Sequence, residues 1–200
     1  MKSVPLILAS ASPRRRQLLH EAGFQFEVDP SLIDEPEPLG PCDVRRYVSD
    51  LAFRKAWEVS SRRGQGLVLA ADTACEIDGQ ILNKPIDRQD ARRMIKLQEG
   101  REIEVVTGLV LMRADRLTWL GSVETTVLLV RELSDDELTA YLDSGDWEGK
   151  AGGYGLQDVD PFVSLVRGTF SNAVGLPMER LQSLLHAHPA FYRDLAAPGQ

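Results

Sequence analysis

The sequence has few cysteines: only Cys42 and Cys75 among 200 residues. Two thiols are too few for a disulfide framework or a zinc site, and a reducing compartment is the simpler setting. It also lacks a long apolar run. None approaches the roughly 18–20 residues of a membrane span. The stretch at residues 4–9 is short, is interrupted by Pro5 and is followed by Arg14, Arg15 and Arg16, so it does not read as a secretory signal. Excess positive charge is missing too. The 23 Lys and Arg stand against 30 Asp and Glu, a net charge of −7, which argues against non-specific binding to nucleic-acid phosphates. There is no internal repeat, low-complexity tract or long linker. The expectation is a soluble cytoplasmic protein with neither a membrane nor a nucleic acid as partner.

What is present is ordinary globular composition, 43% hydrophobic and 26% charged, in a chain long enough for a continuous core. One domain is expected over residues 1–187, with a C-terminal tail over 188–200. Residues 6–9 suit a buried strand. Ser12 caps the helix that follows, Pro13 fits its first position, and Gly23 ends it. Residues 29–41 carry Pro30, Pro36, Pro38 and Pro41 and read as a loop. Val44, Val48, Leu51, Ala52 and Ala56 fall at helical spacing up to Gly64. Residues 67–71 form an unbroken apolar strand expected to stop at Asp72, and Asp78-Gly79 signals a hairpin. A helix follows Asp87. Two long strands come next, then a helix boxed by Ser134 and Glu137, a glycine-rich loop, a strand near residues 162–166 and a helix after Pro177. This order predicts α/β architecture with a mixed sheet and flanking helices.

Several residues break local rules. Arg14, Arg15 and Arg16 occupy the first turn of a helix, where the partial positive charge disfavours cations, and Arg15 lies on the apolar stripe with Leu18, Leu19 and Ala22. Two readings stay open. One is an anion pocket built from helical N–H groups, serine hydroxyls and guanidinium forks; the other is a solvated basic turn with Arg15 paired to a core carboxylate. Lys55 joins the apolar face of its helix, by function or by snorkelling. Lys84, between Asn83 and Pro85, is a second candidate cation or an ordinary loop lysine. Asp72, at the expected strand end, is placed either to hold a metal or take a proton from water, or to cap a turn. Asp34 and Glu35 could share such a metal or be solvated. The segment from Lys150 to Gln157 permits close backbone approach through its glycines, and the Gln157 amide both donates and accepts. His20, His186 and His188 lack catalytic spacing. Trp57, Trp119 and Trp147 are expected to pack rather than stack on bases.

Taken in order, these segments resemble the Maf family of nucleoside triphosphate pyrophosphatases. The resemblance rests on Leu8-Ala9-Ser10-Ala11-Ser12-Pro13-Arg14-Arg15, Asp34-Glu35, Lys55-Ala56, Ala71-Asp72-Thr73, Asp78-Gly79, Lys84-Pro85, Thr107-Gly108, Lys150-Ala151-Gly152, Tyr154, Gln157 and Val174-Gly175-Leu176-Pro177. It implies a mixed twisted sheet with two lobes around a cleft, similar to inosine triphosphate pyrophosphatase, and a homodimer. It implies cleavage of a nucleoside triphosphate to monophosphate and pyrophosphate with Mg²⁺ or Mn²⁺. By resemblance, Asp72 is the catalytic acid/base. Ser10, Ser12, Arg15, Lys55 and Lys84 surround the phosphates, and Glu35 and Asp72 face the metal.

The branch of the family acting on dTTP and UTP has an Arg after Ser-Pro, a Thr after the catalytic Asp and a Gln in the glycine loop. Arg14, Thr73 and Gln157 stand at those places and are implied to select the base. The 7-methyl-GTP branch has Ser-Pro-Tyr-Arg and Ser-Asp-Gln, which this sequence lacks. Asn83 replaces a family glycine, Asp158 replaces the glycine after the Gln and puts negative charge near the base pocket, and residues 101–102 replace a usual His. The alternatives to a dTTP/UTP enzyme are a pyrophosphatase for 7-methyl-GTP or another modified nucleotide, and a non-catalytic nucleotide-binding regulator of cell division.

Overall fold

The computed structural model describes residues 4–35, 42–158 and 162–192. Pro36, Pro38 and Pro41 of the expected loop and residues 193–200 of the expected tail lie outside them. The chain runs β1 (Leu6–Leu8), α1 (Pro13–Glu21), β2 (Phe26–Val28), α2 (Val44–Arg63), β3 (Leu67–Ile77), β4 (Gln80–Leu82), α3 (Arg88–Gln98), β5 (Glu102–Arg113), β6 (Thr118–Val130), α4 (Asp135–Ser144), a 3₁₀ turn (Ala151–Gly153), β7 (Val163–Arg167), α5 (Phe170–Val174), α6 (Met178–Ala187) and α7 (Pro189–Tyr192). The strands form one mixed sheet in the order β2-β1-β3-β5-β6-β7, with β4 pairing β3. The mixed α/β class expected from the sequence is the one observed.

The helix boundaries follow from local chemistry. Ser12 caps α1, with Pro in its first turn. Asp43 caps α2, and Gly64 ends it in the left-handed conformation. Ser134 and Glu137 form the reciprocal capping box on α4. Two short elements lie outside the expected set: α5, which Thr169 caps through the Asn172 N–H and Gly175 ends in the left-handed conformation, and the 3₁₀ turn, which has no side-chain cap. Within the residues expected as a tail, the short α7 is formed, and its Phe191 packs against the core under β1 and α6.

The strand ending at Asp72 is a correction. β3 continues five residues further, because β5 pairs with it antiparallel from Leu67↔Arg113 to Glu76↔Glu104 and carries the ladder straight through Asp72↔Gly108. The apolar run stops at Asp72, but the hydrogen-bonded strand does not.

This long strand joins two packing regions. Its first half packs with β1, α1, α2 and α6 through Leu67, Leu69 and Ala71 on one face and Val68 and Ala70 on the other. Its second half supplies Cys75 and Ile77 to a separate core with α3, α4, Tyr154 and Phe162. Along the edge of β3 away from β5, β1 pairs only with residues 67–69 and β4 only with residues 75–77. The middle of that edge faces a cleft between the two packing regions. Asp72 and Thr73 lie in this gap.

Candidate active site

The cleft is a cavity of about 540 Å³, and Ser10, Ser12, Arg14, Arg15, Glu35, Lys55, Asp72, Thr73, Lys84 and Gln157 all line it. These ten residues singled out from the sequence are therefore on one cavity, although Gln157 lies 85 positions after Asp72. Asp34 is exposed and is not part of the lining.

Side chains alternate across a strand, so Asp72 and Thr73 serve opposite faces of the sheet. Asp72 faces α2. Lys55 Nζ donates to Asp72 Oδ1 at 2.6 Å and lies 2.7 Å from Glu35 Oε1. Lys55 and Asp72 are almost wholly buried, so the lysine does not snorkel; it is a paired cation between two carboxylates. Burial by itself would raise the Glu35 carboxyl, but the hydrogen bond and charge of Lys55, with Lys84 and Arg15, hold it below the ordinary value. The approach of α2 depends on a missing side chain. A Cβ on Gly108, which pairs with Asp72 in register, would lie 2.4 Å from the Val48 carbonyl oxygen of α2. Glycine here lets the helix come near enough for Lys55 to reach the strand.

Thr73 faces the other way. Its hydroxyl accepts from Arg15 Nη2 at 3.1 Å and lies 3.0 Å from the Thr107 hydroxyl. Arg15 further donates from Nη1 to Ser10 Oγ at 3.1 Å and from Nε to the Gly175 carbonyl at 2.7 Å. All three acceptors are neutral. The alternative in which Arg15 pairs with a core carboxylate is therefore not the arrangement found. Burial lowers the Arg15 pKa, opposed by the charges of Asp72 and Glu35; a guanidinium stays charged regardless. Its orientation is fixed while its charge is left for the cleft. Thr73, implied by resemblance to select the base, is placed as a support for this guanidinium.

The far wall is the glycine-rich loop. Arg14 Nη2 donates to the Gly149 carbonyl at 2.9 Å, tying α1 to it. Gln98 donates to the Gly152 carbonyl at 2.9 Å, and Gly152 N–H donates to the Asn83 carbonyl at 3.1 Å. Cys75 lies under this wall, 3.4 Å from the Ala151 carbonyl, and burial pushes its thiol up to about 12. It is not a nucleophile at neutral pH. The sequence reading assigned no role to Tyr47, Lys150 or Tyr154, nor to Gly175 as an acceptor. A backbone carbonyl has no signature in residue type, which is why Gly175 escaped. Of the tryptophans, Trp147 is buried, but Trp57 and Trp119 are about half exposed around Phe53 and lie outside the cavity lining, so they do not stack on a ligand there.

The amino-acid sequence that builds this cleft matches a known family. The family described as Maf-like protein covers residues 5–188. The chain belongs to the Maf family. Among curated members, a dTTP/UTP pyrophosphatase of Rhodopirellula baltica is 44% identical over 184 residues, which is 90% of this chain and 80% of the relative. One of Ruminiclostridium cellulolyticum is 41% identical over 181 residues, 90% of this chain and 94% of the relative. One of Salinibacter ruber is 43% identical over 189 residues, 92% and 91% respectively. Most of the Maf segments quoted from the sequence contribute to the lining of the cleft around Asp72; Asp78-Gly79 forms the exposed β3–β4 turn instead.

No group of three or more His, Cys, Asp or Glu that could hold a metal occurs among the described residues. Asp72 and Glu35 nonetheless fit a divalent ion of the Mg²⁺ type, which is held by one or two carboxylates together with substrate phosphates rather than by a protein cage. Both carboxylates already converge on one cation, the Lys55 ammonium. No helix among the described residues is long and apolar enough to cross a membrane.

Proposed function

We propose that this chain hydrolyses dTTP and UTP at the α–β phosphoanhydride, releasing nucleoside monophosphate and pyrophosphate. The observation that carries this reading is one buried carboxylate, Asp72, in a cleft whose other charged groups are mostly cationic, inside a protein of net charge −7. The printed names of the Maf relatives support the same chemistry and the same bases.

In this reading Asp72 accepts the proton of the water that attacks the α-phosphorus. Its Oδ1 is held by Lys55, which fixes its orientation. Arg15 and Lys84, with the Ser10 and Ser12 hydroxyls and the N-terminus of α1, bind the phosphates and offset charge developing on the leaving pyrophosphate. Arg14 and Gln157 face the base, and Thr73 acts through Arg15. Asp72 and Glu35 would hold Mg²⁺ or Mn²⁺, which when bound supplies positive charge to the phosphate oxygens. A homodimer acting on cytoplasmic nucleotide pools completes the proposal.

The test is a panel of dTTP, UTP, CTP, GTP and 7-methyl-GTP with metal titration and separate detection of pyrophosphate and phosphate. Pyrophosphate release, fastest with dTTP and UTP and lost in Asp72→Asn, is the expected result. Phosphate as sole product overturns α–β cleavage. Preference for 7-methyl-GTP overturns the base assignment. Tight nucleotide binding without metal-dependent turnover favours the regulatory module, and light scattering checks the dimer.

A further inference from the structure

Asp158 stands where the resemblance to the Maf family implies a glycine, and the charge it adds is taken up within the loop. Its carboxylate pairs with Lys150 Nζ, accepts the Gly155 N–H at 3.1 Å and lies 3.0 Å from the Tyr141 hydroxyl of α4. The side chains of Lys150 and Asp158 are 12% and 11% exposed, so the pair is largely withdrawn from solvent. Its Coulombic strength is correspondingly less screened than that of a surface pair.

These contacts close a specific turn. Asp158 N–H donates to the Gly155 carbonyl at 3.2 Å, while Gly155 N–H donates back to the Asp158 carboxylate. The four-residue turn from Gly155 to Asp158 is thus tied at both ends, and Gln157 is its third residue. The Gln157 amide folds back over Gly155: a Cβ there would lie 2.5 Å from Gln157 Nε2. Gly155 has no positive φ, so the glycine supplies space and not backbone freedom. A glycine at position 158 would keep only the backbone bond of this turn. Tyr141 adds a second anchor, since its hydroxyl also lies 3.2 Å from the Gly153 carbonyl and its ring packs edge-on against Phe162.

We propose that Asp158 is a positioning residue for base selection, holding the Gln157 amide in one preformed orientation through the clasp with Lys150, Tyr141 and Gly155. A preorganised amide discriminates more sharply than a mobile one. A mobile Gln157 could turn its donor or its acceptor outward, and so satisfy the differing hydrogen-bond edges of a uracil-type and a cytosine-type base. The inference rests on the proposed pyrophosphatase reading and deepens it at the base end of the site.

The experiment compares kcat and KM for UTP, dTTP and CTP in the wild type, Asp158→Asn, Asp158→Gly and Tyr141→Phe. Asp158→Asn is expected to lower the UTP-to-CTP ratio of kcat/KM about tenfold, with the larger part in the KM for UTP. Asp158→Gly is expected to match it or exceed it. Tyr141→Phe keeps the ring and removes one partner, so it should shift the ratio the same way by less; it also serves if the Asp158 variants fail to fold. Base ratios within twofold of the wild type in the folded variants, even with an overall fall in kcat, overturn the positioning role and leave the pyrophosphatase reading standing. A wild type that releases no pyrophosphate from any nucleotide overturns both.

Discussion

Lys55 Nζ lies 2.6 Å from Asp72 Oδ1, and both side chains are less than a tenth exposed. The pair links α2 to the middle of β3 at the point where the strand edge is open to the cleft. Glu35 shares the same ammonium from the cleft side.

The two partners of this pair are not equivalent. Lys55→Met leaves Asp72 buried without its cation, and breaking a buried pair in this way costs about 3–5 kcal/mol. Asp72→Asn leaves Lys55 still paired with Glu35, so it is expected to cost less stability while abolishing turnover by at least about 100-fold. Urea unfolding of both variants beside pyrophosphate release checks the asymmetry. A larger stability loss in Asp72→Asn than in Lys55→Met would contradict it.

Glu35 sets an acid limb. A carboxyl held below its ordinary value of 4.5 contributes stability above that value and loses it as pH falls through the lowered one. The wild type should therefore be more stable than Glu35→Gln at neutral pH, and the gap should close on acidification below about 4.5. Because Glu35 is 47% exposed, solvent screening keeps the gap small. Melting temperature against pH for the two proteins measures it; a gap that widens towards acid would reverse the sign.

Thr73 supports Arg15. Thr73→Val keeps the volume but removes an acceptor, leaving a guanidinium N–H without its partner. The cost of such a group is about 1–3 kcal/mol. The expected outcome is a rise of about tenfold in KM for all triphosphates alike, largely rescued in Thr73→Ser. If Thr73→Val instead alters the ratio among bases, Thr73 reads the base directly.

Gly108→Ala tests the approach of α2. The added methyl would meet the Val48 carbonyl oxygen, a backbone atom that moves only with its helix. Overpacking of this kind costs about 1–3 kcal/mol. It should also lower kcat, since displacing α2 draws Lys55 from Asp72. Chemical denaturation and kinetics on the same preparation separate the two effects, and unchanged kcat in a destabilised variant would show that Lys55 does not depend on that approach.

Of the residues that broke local rules, the cleft collected all but Arg16, which is exposed. Arg15 on an apolar stripe, Lys55 on a buried helix face and an aspartate after an unbroken apolar run were legible because local physics disfavours each of them. Capped helices and the β3–β4 hairpin were legible because Ser12, Asp87, Ser134 and Asp78-Gly79 act through neighbours in sequence. Composition likewise set the acidic exterior without residue-level detail.

Other features depended on contacts between distant parts of the chain. β3 runs past Asp72 because β5, about 30 positions later, supplies hydrogen bonds that no local pattern announces. The choice between an anion-binding and a carboxylate-paired Arg15 turned on the Gly175 carbonyl, 160 residues away. The negative charge of Asp158, which in sequence sits beside Gln157, is taken up by Lys150 and Tyr141 only once the loop folds against α4. The sequence by itself determined which residues carry charge and where helices begin. Tertiary structure decided which charges are neutralised and which remain for a ligand, because that depends on partners brought together through space.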